Sequence, residues 1–239
     1  MIFTSLAACN QPEVQSDGEV VSNPDEVVGT EVTDPIDIEV PNDLEVKGSL
    51  LLAKQWNDQN GENILIISRV GPLDEAEENI VDYGDQYAEL YGEQYIKTEN
   101  DYELLWDIYD FQRNCPFDLS LGLLPNSTTI TDLDDDGFTE TTLVYKLGCR
   151  SDVSPLGMKV LMHENDTKMG LRGFMSLKEV GSGFEYDYSK VDTTGLSEID
   201  MIYATHGAYE NEIDFKEQPS VFLEHAQGLW KKYVNEGLY

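Results

Sequence analysis

The sequence predicts a mainly β fold, an antiparallel meander or sandwich-like sheet with one packing helix at its C-terminus. Three observations carry this. Short apolar and aromatic runs recur through the middle of the chain, with turn residues about every 8–12 positions. Only 219–236 repeats its apolar residues at a helical period. Residues 10–45 carry eleven acidic residues, four prolines, no Lys or Arg and no aromatic. Such a segment buries too little apolar surface to offset its ordering entropy.

The chain therefore divides into a leader (1–9), a disordered acidic tether (10–45) and a single domain (46–239). The Val pairs of the tether leave short strands there as the alternative. In the domain, "GSLLLAKQW" and "NILIISRV" form a hairpin around Asn60-Gly61. "LDEAEENIVDYG" is a loop or a short acidic helix. "YAELYGEQYI" and "YELLWDIYDFQ" are strands joined by "KTEND". "TTITDL" and "ETTLVYKLGC" flank an acidic stretch, and "MKVLMHE" turns into "TKMGLRGFMSL" at Asn165-Asp166. "GFEYDYSKV" and "EIDMIYATHG" read as further strands. In the helix, Phe222, Ala226, Leu229, Trp230 and Tyr233 share one face. Pro219 opens it, Lys231 and Lys232 suit its C-terminal end, and Gly237 stops it. His225 on this helix reads as a hydrogen-bonded edge histidine.

Charge excludes one class of partner. The chain has 47 acidic and 15 basic residues, a formal net of −32. With the tether's eleven acids set aside, 36 acidic residues still face 15 basic ones. A field of that sign repels phosphate backbones, so nucleic acid is not a partner. It favours cations.

The acidic stretch names one. Asp132-x-Asp134-x-Asp136-Gly137-x-x-Glu140 is D-x-D-x-D-G-x-x-E. Alternate Asp side chains in a tight loop converge, and Gly137 permits the turn. The Phe138 carbonyl supplies the seventh-position ligand and Glu140 the ninth, while Asp135 faces solvent. Hard oxygen ligands in this number suit Ca²⁺ as a structural cofactor. The alternative is an acidic turn whose Asp side chains accept from backbone amides, with no ion. The stretch resembles the calcium loops of EF-hands, dockerins, thrombospondin type 3 repeats and integrin-like propeller repeats. An EF-hand needs an acid at position twelve, which here is Leu143. Since the loop runs into an alternating strand, the propeller type is the nearer likeness.

Leu6-Ala7-Ala8-Cys9 resembles the lipobox of bacterial lipoproteins, which implies acylation at Cys9 and a membrane anchor at the outer membrane, periplasmic or surface-exposed. "MIFTSL" is shorter than an ordinary apolar signal core and lacks a basic start, so either the true start lies upstream or the match is chance and Cys9 is an inert Cys in a floppy leader. If Cys9 is acylated, Cys115 and Cys149 form an even pair in an oxidising compartment, and a disulfide follows. Two separate buried thiols are the alternative.

Residues 130–173 carry the acidic turn, "CRSDVSP" (149–155), "LMHE" (161–164) and "RG" (172–173). Trp106, Ile108, Asp110, Phe111 and Cys115 precede them, and "FLEHAQGLW" follows. This set resembles a family of uncharacterised bacterial surface lipoproteins loosely described as surface polysaccharide biosynthesis proteins. The resemblance implies a surface role, with polysaccharide or envelope proteins as partners, and no specific activity.

Enzyme signatures such as G-x-S-x-G, H-E-x-x-H or a Walker loop are missing. Two functions remain. One is an anchored, calcium-clipped β domain for binding or envelope assembly. The other is a hydrolase or transferase acting on envelope polysaccharide through an acidic cleft. The second would use paired carboxylates such as Asp107 or Asp110, or the acid–base look of His163-Glu164-Asn165-Asp166. In either case Trp56, Trp106, Tyr186 or Tyr188 would stack on sugar.

Overall fold

The computed structural model describes residues 32–74, 85–177 and 185–236. Cys9, the leader and residues 10–31 of the expected tether lie outside the described residues, as does most of "LDEAEENIVDYG".

Two antiparallel sheets make the domain. The first contains β1 (Ile36–Asp37), β2 (Ser49–Asp58), β3 (Gly61–Asp74), β4 (Gln86–Lys97) and β5 (Tyr102–Cys115), in sequence order. The second contains β6 (Asp118–Leu123), β7 (Thr129–Thr131), β8 (Glu140–Arg150), β9 (Gly157–Glu164) and β10 (Thr167–Phe174). Its order is β10-β9-β8-β6, with β7 also pairing β8. The hairpins expected at Asn60-Gly61, "KTEND" and Asn165-Asp166 all form. Gly61 and Asn165 both have positive φ, the conformation that Gly and Asn tolerate best in tight turns.

Side-chain alternation builds three layers from these sheets. Leu65 and Ile67 of β3, with Leu90, Trp106 and Ile108, meet Leu143, Tyr145 and Leu161 between the sheets. On β8 the residue between Leu143 and Tyr145 faces the other way. Val144, with Met158, Val160, Met162, Met169 and Leu171, packs against the C-terminal helix α2 (Ser220–Tyr233). The helical face read from the sequence is the buried one: Phe222, Ala226, Leu229, Trp230 and Tyr233. Trp230 donates from Nε1 to the Gly207 carbonyl at 2.9 Å. Docking on the sheet, rather than propensity alone, holds a helix of this length. His225 lies 3.0 Å from Thr129 Oγ1 through Nε2, so it is a partnered edge histidine.

Two strand expectations are corrected. "EIDMIYATHG" is helical: α1 spans Glu198–Thr205. Ser197 caps it, accepting from the Asp200 N–H, and Glu198 and Asp200 lie in its first turn, where the helix dipole favours acid. Its Ile199, Met201 and Tyr203 are exposed, so the alternation in the sequence has no sheet to face. In "GFEYDYSKV" the described part holds a 3-10 turn at Tyr188–Lys190, with the Asp187 side chain accepting from the Ser189 N–H.

The expected tether also differs. Residues 32–45, its last part, are described, and they run beside β2. Ile36 and Asp37 pair with Gln55 and Lys54, and the Thr33 N–H donates to the Asn57 carbonyl at 2.9 Å. An edge strand presents unpaired backbone groups, and an extended Val/Ile-containing segment satisfies them.

Cys115 and Cys149 form a disulfide, with Cα atoms 5.6 Å apart. It joins the end of β5 to β8, and so one sheet to the other.

Candidate metal centre

At the opposite end of β8 from the disulfide, the acidic loop meets the β2–β3 turn and the β9–β10 turn. The loop is anchored before any cation is considered. Asp132 accepts from Asp136 N–H through Oδ1 and from Gly137 N–H through Oδ2, both at 3.1 Å. Asp136 Oδ1 accepts from the Phe138 N–H at 2.8 Å. Gly137 has φ +88°, and a Cβ there would meet the Gln59 side chain at 2.6 Å. Its carbonyl accepts from the Gln59 N–H at 2.8 Å. Asp135 also has positive φ and is exposed, the spectator position read from the sequence.

A buried polar chain supports the loop from below. Asp58, fully buried, accepts through Oδ2 from the N–H and Oγ1 of Thr139, at 3.2 and 2.6 Å. Thr139 Oγ1 in turn accepts from Trp56 Nε1 at 2.7 Å. Asp58 Oδ1 accepts from Asn63, Asn63 accepts from Gln94, and Gln94 Oε1 accepts from both Trp106 Nε1 and Thr141 Oγ1. Thus both sheets and the loop share one network. Each buried polar group in it has a partner, as a low-dielectric interior requires.

The acids above this network fall into two overlapping groups. Asp132, Asp134 and Asp136 each offer a carboxylate oxygen, all within 4.8 Å of one another. Asp134, Glu140 and Glu164 do the same. Each group could hold a metal ion. Of the residues expected from the sequence, the structure brings together Asp132, Asp134, Asp136 and Glu140, and it adds Glu164. Glu164 ends β9, directly across the strand pair from Glu140.

Three oxygens here are buried without a hydrogen-bond partner: Asp134 Oδ1, Glu140 Oε1 and Glu164 Oε1. Glu140 is wholly buried, and its other oxygen accepts from Leu133 N–H at 3.0 Å and Thr131 Oγ1 at 3.2 Å. Burial pushes the Glu140 carboxyl up to about 7, with the charge of Glu164 adding to the rise. Burial raises Asp134 too, followed by the charge of Asp136, and raises Glu164, followed by the charges of the three aspartates. Carboxyl groups packed together, with three buried oxygens short of donors, are the condition that a hard cation relieves.

The residues expected to bind sugar or to catalyse are elsewhere. Trp56 and Trp106 are buried between the sheets and are not walls of a groove. Tyr186 packs on the helix-side core, and Tyr188 sits in a 3-10 turn. Asp107 is exposed, whereas Asp110 accepts from Tyr145 Oη and Lys159 Nζ. His163 and Glu164 are neighbours in sequence, but His163 is buried against Trp106 while Glu164 joins the acids. Alternation along β9 separates them.

Comparison with protein-family models, with curated proteins and with solved structures finds no match for this chain.

Proposed function

We propose that the chain is an envelope-anchored lipoprotein whose β domain is clipped by calcium and serves binding or assembly linked to surface polysaccharide. The observation that carries the calcium part is the set of buried, unpartnered oxygens on Asp134, Glu140 and Glu164. Among the described residues, the groups that converge there are all carboxylates, which suits a hard cation. The cluster spans a loop and a strand end and is irregular, which suits Ca²⁺ better than Mg²⁺, whose octahedral demand is strict. The role follows from position: the loop is bonded to the β2–β3 turn of one sheet and leads into β8 of the other. The carboxylates all belong to the second sheet and its loop, so an ion there braces the loop that is hydrogen-bonded to the first sheet, a structural rather than catalytic task. The disulfide supports an oxidising compartment outside the cytoplasm. The Cys9 motif supports a lipid tether.

Calcium at a few millimolar should stabilise the domain by about 1–2 kcal/mol if the site binds at roughly 0.1–1 mM, as extracellular-type sites do. The rise in Tm should be a few degrees, with magnesium giving less. Asp134→Ala should remove the calcium-dependent part and Asp135→Ala should leave it intact. Identical melting curves in calcium and in EDTA would sink the proposal.

The anchor is tested separately. Expressed with its native leader in a lipoprotein-competent bacterium, the protein should incorporate labelled fatty acid, and Cys9→Ser should abolish the label. A soluble, unlabelled wild type would remove the anchor from the proposal and leave the calcium clip standing.

A further inference from the structure

We infer that the acidic centre holds two divalent cations, bridged by Asp134, and that the second sits between the cross-strand pair Glu140 and Glu164. The inference rests on the calcium reading above and extends it. The acids form two groups with Asp134 as their common member, one within the loop and one that reaches across to β9. The sequence motif accounts for the first. It does not account for Glu164.

Strand register makes the second position specific. Glu140 and Glu164 are directly opposed in the β8–β9 ladder. Like charges placed directly opposite destabilise a strand pair. Neither residue escapes to solvent through the oxygen in question: Glu140 Oε1 and Glu164 Oε1 are both buried and both lack a hydrogen-bond donor. Glu140 is fully buried, and its Oε2 already serves Leu133 and Thr131, while Oε1 is left without a donor. Asp134 Oδ1 is the third such oxygen, from the loop side. Three anionic oxygens without donors, contributed by a loop and two strands, define a cation position of their own.

With all five carboxylates ionised, charge favours a second ion. Five carboxylates belong to the two groups. One divalent ion would leave a formal excess of three negative charges in a partly buried site. Two ions leave one. The acids of the loop group also keep their own backbone donors, at Asp136, Gly137 and Phe138, whereas the cross-strand group has no such set for its free oxygens.

The test is calcium stoichiometry. Calcium chloride is titrated into the chelator-stripped full chain at pH 8 by calorimetry, with equilibrium dialysis as a second count. Two ions per chain are expected in the wild type, one in Glu164→Gln and one in Asp132→Asn. Circular dichroism of each variant shows whether it remains folded, and the wild-type count stands whatever the variants do. A single ion in the wild type overturns the inference and leaves the calcium clip intact. No ion at all overturns both.

Discussion

Removing the Cys115–Cys149 disulfide should cost roughly 4 kcal/mol of stability. The bond closes a sequence separation of 34, and on the chain-entropy account a loop of that size restricts the unfolded ensemble by about that amount. Its place in the fold gives a second reason for a large effect. Cys115 ends the first sheet and is fully buried, while Cys149 lies in the second. Hydrogen bonds from the acidic loop and Thr139 tie the sheets at the other end of β8, so the disulfide is the covalent counterpart of that polar tie. Urea unfolding of the wild type, the reduced wild type and Cys115→Ala/Cys149→Ala measures it. The midpoint should fall in both modified forms. The slope m should rise, because an unlinked chain exposes more surface when it unfolds. The reduced protein separates loss of the link from loss of the buried sulfurs. A fall below about 1 kcal/mol on reduction would show that the link constrains little.

What was legible in the sequence was mostly local. The acids Asp132, Asp134 and Asp136 stand at fixed spacing in one turn, so their convergence is written in the motif. Glu164 is set by strand register, since it joins the centre only because β9 pairs with β8 at Glu140. The single signal available was an acid beside a turn, and the chain has 47 acids. Asp58 was hidden for the same reason: it precedes a readable turn, but its partner Thr139 lies across the sandwich. Trp56 and Trp106 show the limit of alternation. The pattern places them on one face of their strands without saying whether that face meets water or the other sheet. Helix α2 was legible because its buried face repeats over several turns. Helix α1 was not, because Ile199, Met201 and Tyr203 are exposed and only Ser197 and the acids after it mark its start.

The second large effect concerns His163 and acid. Its ring stacks on Trp106, with centroids 4.1 Å apart and planes 9° from parallel. It is 2% exposed, and its Nδ1 is buried without a hydrogen-bond partner. Lys168 is its cross-strand neighbour. Burial first, and then the charge of Lys168, push the imidazole down to about 3. The unfolded chain takes up this proton near pH 6.5, and the folded chain does not until about pH 3. The stabilisation from burying a neutral ring is therefore complete above pH 6.5 and is lost as pH falls toward 3. Between pH 6.5 and 4 the loss should be roughly 3 kcal/mol. Glu140 acts in the opposite sense. Its carboxyl is raised to about 7, so its contribution is present below 4.5 and lost as pH rises through 7. A wild-type curve alone mixes the two. His163→Phe keeps an aromatic ring on Trp106 and removes the titrating group. Subtracting its stability from that of the wild type, both in EDTA, cancels Glu140. The difference should move against the wild type by about 3 kcal/mol between pH 7 and pH 4. A flat difference would mean that the folded state accepts the proton as readily as the unfolded chain. In that case Trp106 and Lys168 do not keep the imidazole neutral, and the polar end of the sandwich beneath the acidic loop admits water.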